Sequence, residues 1–237
     1  MSYGRSRPEL SCVLLTDRLN AQSANWFAAV KQIADELVIF VDALRADGET
    51  RAWASRLATR LYYVNGQGHL EPHLREMFLA CRGEWVLRLD SDEELSSAWY
   101  SAGWWEQIAA AEHNYYWLPR RWLHPDGGFI DCEPWWRDPQ ARLFRNEPNR
   151  ISFPELLHEP MVGDGEAGEL PSLAIHHHVL CSASRSEREA KVARYKRIRP
   201  EKPLGHYYLF EDAKVTTAQL PPDDWSAESK SASQLAS

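Results

Sequence analysis

Along the first ninety residues the apolar positions switch between two rhythms. Ser11 to Thr16 (SCVLLT) is a short β-prone run. From 23 to 36 the apolar groups recur as Trp26, Phe27, Val30 and Ile33, with Leu37 next, which is the period of a helix. LVIFVD is a continuous β-branched and aromatic run that ends at Asp42. A loop follows, with Gly48 as breaker, and residues 50–60 predict a second helix. LYYV (61–64) reads as a strand. Pro72 suits the first turn of a third helix, which packs through Leu74, Met77, Phe78 and Cys81 and ends at Gly83. WVLRL then stops at Asp90.

Strands alternating with single helices predict right-handed crossovers and a mainly parallel sheet. Ligands of such sheets bind beyond the carboxyl ends of the strands, where Asp17, Asp42 and Asp90 fall. After Asp92 the rhythm changes. Glu93 and Glu94 read as a solvated helix start, with a helix from about Ser97. NYYWLPRRWL and ARLFR predict strands around a turn at 126–128, an antiparallel extension of the sheet. SLAIHHHV (172–179) is another strand. SEREAKVARYKRI (186–198) is a helix with Ser186 and Glu189 as its capping box. From 215 to 237 the chain turns polar and reads as a disordered tail. The resulting division is a lead over 1–9, one α/β domain over 10–214 and the tail.

The 237 residues suffice for such a domain with a substantial core. A net charge of −7 argues against general nucleic-acid binding. No run is long and apolar enough for a membrane span, and the N-terminal apolar stretch is too short for a secretory signal, so the cytoplasm is the expected compartment. The four cysteines, 12, 81, 132 and 181, are too far apart for a zinc knuckle, and Cys12 and Cys81 read as buried thiols. Of eleven tryptophans, seven fall between Trp99 and Trp136. So dense a cluster suits either core packing or a groove for a ligand with flat apolar faces, such as a sugar ring.

The DSDEE run at 90–94 is the chemical anomaly. Like charges at the mouth of a buried strand repel each other, so they either face water or meet a cation. Carboxylates suit Mg²⁺ or Mn²⁺, which take one or two protein carboxylates plus phosphate oxygens. Asp92, assisted by Asp90, would then clamp a diphosphate. His176 and His178 point to one side of their strand and His177 to the other. They are either structural or complete a metal or diphosphate site.

The sequence resembles the family 2 glycosyltransferases of GT-A fold over about residues 10–200. The motifs are DALRADGET (42–50), GEWVLRLDSDEEL (83–95), DPQARLFR (138–145), LLHEP (156–160), LAIHHH (173–178) and KVARY (191–195), in the family's order. The subgroup most resembled contains lipopolysaccharide-core and similar envelope glycosyltransferases. Two departures are visible. TDRLN (16–20) replaces the usual T-x-N-E, and Ala43 and Arg45 replace the serines of the second motif.

The resemblance implies an α/β GT-A fold whose mainly parallel sheet carries a smaller antiparallel extension. It implies a nucleotide-sugar half over 10–95 and an acceptor half over 96–214. A metal-dependent, inverting transfer from a nucleotide sugar to a glycan or lipid-linked envelope acceptor follows. Asp17, Asp42, Asp90, Arg75 and Arg142 would hold the donor, with Asp42 alternatively a turn acid that caps the next helix. Asp92, Asp90, His176 and His178 would hold the metal. Glu159 would be the general base, with Asp138 its rival. The basic stretch 185–202 is either a solvated helix face or a contact for a phosphorylated acceptor or anionic membrane. The competing readings are a metal-dependent phosphoesterase and a non-catalytic carbohydrate-binding protein on the same fold.

Overall fold

The structure is a computed structural model that describes residues 9–66, 69–101, 103–110, 112–202 and 204–221. In chain order the strands and α-helices are β1 (Leu10–Thr16), α1 (Ala21–Val30), β2 (Glu36–Asp42), α2 (Gly48–Leu57), β3 (Arg60–Val64), α3 (Leu74–Leu79), β4 (Trp85–Arg88), β5 (Glu93–Leu95), α4 (Trp104–Ala110), β6 (Tyr115–Trp122), β7 (Phe129–Ile130), β8 (Asp138–Arg145), β9 (Ile151–Ser152), β10 (Val162–Gly163), β11 (Gly168–Glu169), β12 (Ile175–His177), α5 (Val179–Ser182), α6 (Arg185–Ile198), α7 (Gly205–Tyr208) and β13 (Thr217–Ala218). They form two compact units interleaved along the chain. One holds residues 1–91, 100–117 and 141–169, and the other 92–99, 118–140 and 170–237.

In the first unit β3, β2, β1 and β4 lie side by side in parallel, and β8 closes against β4 in antiparallel register. β2 is buried along its whole length, which explains its unbroken apolar run. Glu36, the buried acid at its start, accepts from Ser11 Oγ at 2.6 Å and from the Arg82 amide at 2.5 Å. The core packs Val13, Val38, Phe40 and Val86 against Met77 and Phe78 of α3 and Phe144 of β8. Cys12 and Cys81 are buried thiols, and burial pushes Cys81 up to about 12. In the second unit β12 runs between β6, to which it is parallel, and β5, to which it is antiparallel. The α/β class with a mainly parallel sheet and smaller antiparallel pieces is the one expected.

Several boundaries move. The first helix stops at Val30, and Leu37 belongs to β2. The second begins at Gly48 with Asp47 as its cap, accepting from the Thr50 amide at 2.7 Å, so Asp42 is not the capping acid. The helix expected from Ser97 is a 3-10 turn, Ser97–Tyr100, followed by α4. Glu93 and Glu94 are a buried strand rather than a solvated helix start. They are paid for by Arg120, 3.4 Å from Glu93, and His178, 2.9 Å from Glu94. The capping box of α6 uses Ser184 and Glu187, one S-x-x-E register earlier than Ser186 and Glu189. The segment expected as a tail from 215 first adds β13 to β7, and 222–237 lie outside the described residues.

The tryptophans are mostly core. Trp99, Trp104, Trp122 and Trp135 are all buried, and the indole N–H of Trp135 donates to the Tyr207 carbonyl at 2.9 Å. Trp105, Trp117 and Trp136 are half-buried.

Candidate functional site

In the first unit the parallel register places the ends of β2, β1 and β4 on one edge of the sheet, since Thr16 faces Val41 and Val13 faces Arg88. Asp17, Asp42 and Asp90 therefore gather there, as the strand alternation predicts. Asp42 is buried, with one carboxylate oxygen accepting from the Leu44 amide at 3.0 Å. Gly66 faces its other oxygen so closely that an added Cβ would be 2.8 Å from it, a close approach that only glycine allows. Arg45 bridges the edge, 2.7 Å from Asp17 and 4.0 Å from Asp42. The arginine in place of the resembled family's serine thus meets two of the expected donor-site acids.

Asp90 is held from both sides. Arg88 donates to one oxygen at 2.8 Å and the buried Arg142 to the other at 2.7 Å. Arg142, expected to hold the donor, is committed to Asp90. Arg75 is exposed and donates to Asn149 at 3.3 Å, apart from the acids. Glu159 is exposed, on a loop whose turn places His158 at φ 61°. The buried Glu71, which sequence reasoning passed over, anchors this loop by accepting from the His158 amide at 2.9 Å.

In the second unit Asp92 is the centre of charge. His177 Nε2 and Lys191 Nζ each lie 3.4 Å from its Oδ2. Burial opposes the charged form, but Lys191, His177 and Arg120 outweigh it and hold the Asp92 carboxyl well below the usual range. Burial also keeps His177 below its ordinary value although Asp92 pulls the other way. Its ring packs edge-on against Trp122 at 4.2 Å, and its Nδ1 has no hydrogen-bond partner among the described residues.

The expected pair, His176 and His178, does not converge on Asp92. His176 is buried beside Glu94, and burial pushes it down to about 3. His178 turns out of the strand at the start of α5 and meets Glu94. Its amide instead donates to the Asp92 carbonyl at 2.8 Å, which ties this turn to the acidic loop.

Asp138, the rival base, is surrounded by donors. Arg120 contacts Oδ2 at 2.7 and 2.8 Å, the Trp122 indole N–H at 2.7 Å, and Gln140 contacts Oδ1 at 2.7 Å. These contacts engage both of its oxygens with neighbouring side chains. Arg120 and Trp122 carried no motif that the sequence could reveal, and Gln140 and Lys191 lay in the DPQARLFR and KVARY motifs without a role of their own.

Among the described residues no group of three His, Cys, Asp or Glu side chains could cage a metal ion. Asp92 with a neutral His177 offers two donors of suitable chemistry. That set fits a cation that takes its remaining ligands from a diphosphate and does not fit one held by protein alone. No helix among the described residues is long and apolar enough to cross a membrane.

No model of a known protein family matches the chain, and no curated protein does. Among solved structures it is similar to the mannosyltransferase PcManGT from Pyrobaculum calidifontis, determined with GDP-Man and Mn²⁺. The two are 15% identical with a TM-score of 0.53, over 89% of this chain and 66% of that one. It also matches residues 1–349 of TarS from S. aureus, 14% identical with a TM-score of 0.45, over 85% of this chain and 69% of that one. The chain thus spans just under two thirds of the mannosyltransferase. The likeness to that enzyme gives the fold: an α/β protein of the GT-A type that the sequence resemblance implied.

Proposed function

We propose that the chain is an inverting glycosyltransferase that moves a sugar from a nucleotide-sugar donor to a glycan, lipid-linked or other envelope acceptor. The observation that carries this reading is Asp92, a low-pKa carboxylate with an imidazole and an ammonium on one oxygen, in a chain with the fold of a nucleotide-sugar enzyme. Asp42, buried against Gly66, and Asp17, bridged to it through Arg45, supply acceptors for the nucleoside end of the donor. Asp90 is fixed by Arg88 and Arg142.

Asp92 and His177 would hold a divalent cation, which when bound neutralises charge on the departing diphosphate. His176 and His178 support β12 and β5 through Glu94 rather than joining that pair. Glu159 is the general base. It is an exposed carboxylate on a loop pinned through Glu71. Asp138 positions Arg120 and Trp122.

Part of the basic stretch 185–202 is paired within the chain. Arg185 pairs with Glu189 and Asp212, Arg188 with Glu211, and Arg199 with Glu201.

The test is donor turnover with water in the acceptor's place. GDP- and UDP-sugars are incubated with the protein and Mn²⁺, and nucleoside diphosphate release and anomeric configuration are read by NMR. Slow release of nucleoside diphosphate with an inverted sugar is expected. Nucleoside monophosphate and sugar 1-phosphate as products would instead identify a phosphoesterase, and binding without turnover a carbohydrate-binding protein.

A further inference from the structure

The basic residues of α6 divide by what they face. Arg185 and Arg188 are spent on Glu189, Glu211 and Asp212, within the helix or the segment after it. Lys191 instead reaches across the sequence to Asp92, 3.4 Å from its Oδ2. Its ammonium lies 4.9 Å from the ring centroid of the buried Tyr208 and 5.9 Å from that of Tyr195. These aromatic faces attract a cation independently of Asp92, so the ammonium keeps its place when the carboxylate turns to another partner. Lys191 is part-exposed, so the nitrogen is accessible. A compact ammonium with three donors suits phosphate oxygens as a point charge.

We propose that Lys191 is a phosphate-binding residue for the diphosphate of the donor, held in readiness by Asp92. The inference rests on the donor-site reading above and extends it to a residue of the KVARY motif that the sequence places in a solvated helix face or a contact for a phosphorylated acceptor or anionic membrane. With a diphosphate and its cation bound, Asp92 would hold the cation, and the Lys191 ammonium, still against Tyr208, would donate to the phosphate oxygens. Two consequences separate this from a purely structural pairing. Removing the ammonium weakens diphosphate binding. It does not weaken Mn²⁺ binding at Asp92, because a competing positive charge has left.

The experiment titrates GDP, UDP, inorganic pyrophosphate and the two nucleosides into wild type, Lys191→Gln and Lys191→Arg, with and without Mn²⁺, by calorimetry. Lys191→Gln should bind the diphosphates about ten- to a hundredfold more weakly, the scale of one charge-assisted hydrogen bond. Its Mn²⁺ affinity should be equal or higher, and Lys191→Arg should recover part of the loss. A second measurement needs no variant. Acetylation of the wild-type lysines, read by mass spectrometry, should show Lys191 protected by GDP, UDP or pyrophosphate and not by nucleosides, with the exposed Lys196 as internal reference.

Equal diphosphate affinity in wild type and a folded Lys191→Gln, or no protection of Lys191 in a diphosphate-bound wild type, overturns the inference and leaves the donor-site reading standing. Wild type that binds none of these diphosphates, with or without Mn²⁺, sinks the donor-site reading and this inference with it.

Discussion

At Asp138 four contacts from Arg120, Trp122 and Gln140 fall on one carboxylate, and at Glu159 an exposed carboxylate stands on an anchored loop. The two candidate bases therefore make opposite predictions. Glu159→Gln keeps size and removes charge, so donor binding survives while turnover falls by about 10² to 10⁴. Asp138→Asn leaves the half-buried Arg120 and the buried Trp122 indole N–H short of a charged acceptor, so it costs on the order of 1–3 kcal/mol of stability. Its effect on turnover is the smaller one. Parallel urea melts and donor-hydrolysis rates check both, and a slow Asp138→Asn beside a fast Glu159→Gln would reverse the roles. Asp92→Asn removes the charged ligand, so Mn²⁺-dependent binding of a nucleoside diphosphate disappears while the fold remains; calorimetry decides it. Asp92 was legible because an apolar strand ran straight into it. His177 was not, since alternation pairs His176 with His178. That pairing fails because β12 ends at His177 and His178 turns into α5. The pairing of Lys191 was illegible for another reason: its partner is 99 residues away along the chain, and no local pattern records that.

At the scale of elements, what the sequence shows well is what local rhythm controls. The strands β1 to β4 and the helices between them follow from apolar periodicity, and the acids at their ends follow from the parallel register. What it misses is decided by tertiary partners. Glu93 and Glu94 carry the signature of a helix start, yet β12, Arg120 and His178 draw them into a buried strand. In the basic run of α6 the first two arginines likewise find distant acids, Arg185 at Asp212 and Arg188 at Glu211, which no local pattern records. Gly83 gives a test of how tightly these elements join. A Cβ there would be 2.6 Å from the Ser11 amide nitrogen and 2.9 Å from the Glu9 carbonyl, both backbone. Gly83→Ala therefore forces α3 and β4 away from β1 and costs about 1–3 kcal/mol. Gly48, in the first turn of α2, has nothing within 4 Å of its Cβ position, so Gly48→Ala is neutral or stabilises by about 0.4–1 kcal/mol. Thermal melts of the two variants should move in different directions or differ clearly in size.

For the whole molecule, the buried histidines set how stability responds to acid. His176 is buried and pushed down to about 3, chiefly by burial. Glu94 pulls it up, while His178 and Arg121 push it further down. His177 is lowered in the same direction. A group that stays neutral in the folded chain but protonates in the unfolded one makes the unfolded state bind more protons, so stability rises with pH. For His176 the window runs from the ordinary imidazole value of about 6.5 down to about 3, with a limiting slope of about 1.4 kcal/mol per pH unit. Asp92 works in a lower window. Its folded value is depressed, so its contribution is present above the ordinary carboxylate range and is lost only as the pH falls through that lowered value. Between pH 7.5 and 5 the histidines therefore dominate, and His176 alone removes about 2 kcal/mol of unfolding free energy. Urea unfolding at half-unit pH steps measures this, with His176→Asn as the comparison, read by slope because the substitution also lowers the intercept. The variant should lose the His176 share of the slope. A wild-type curve that is flat from pH 7.5 to 5 would mean that His176 takes up its proton in the folded chain, with Glu94 outweighing burial.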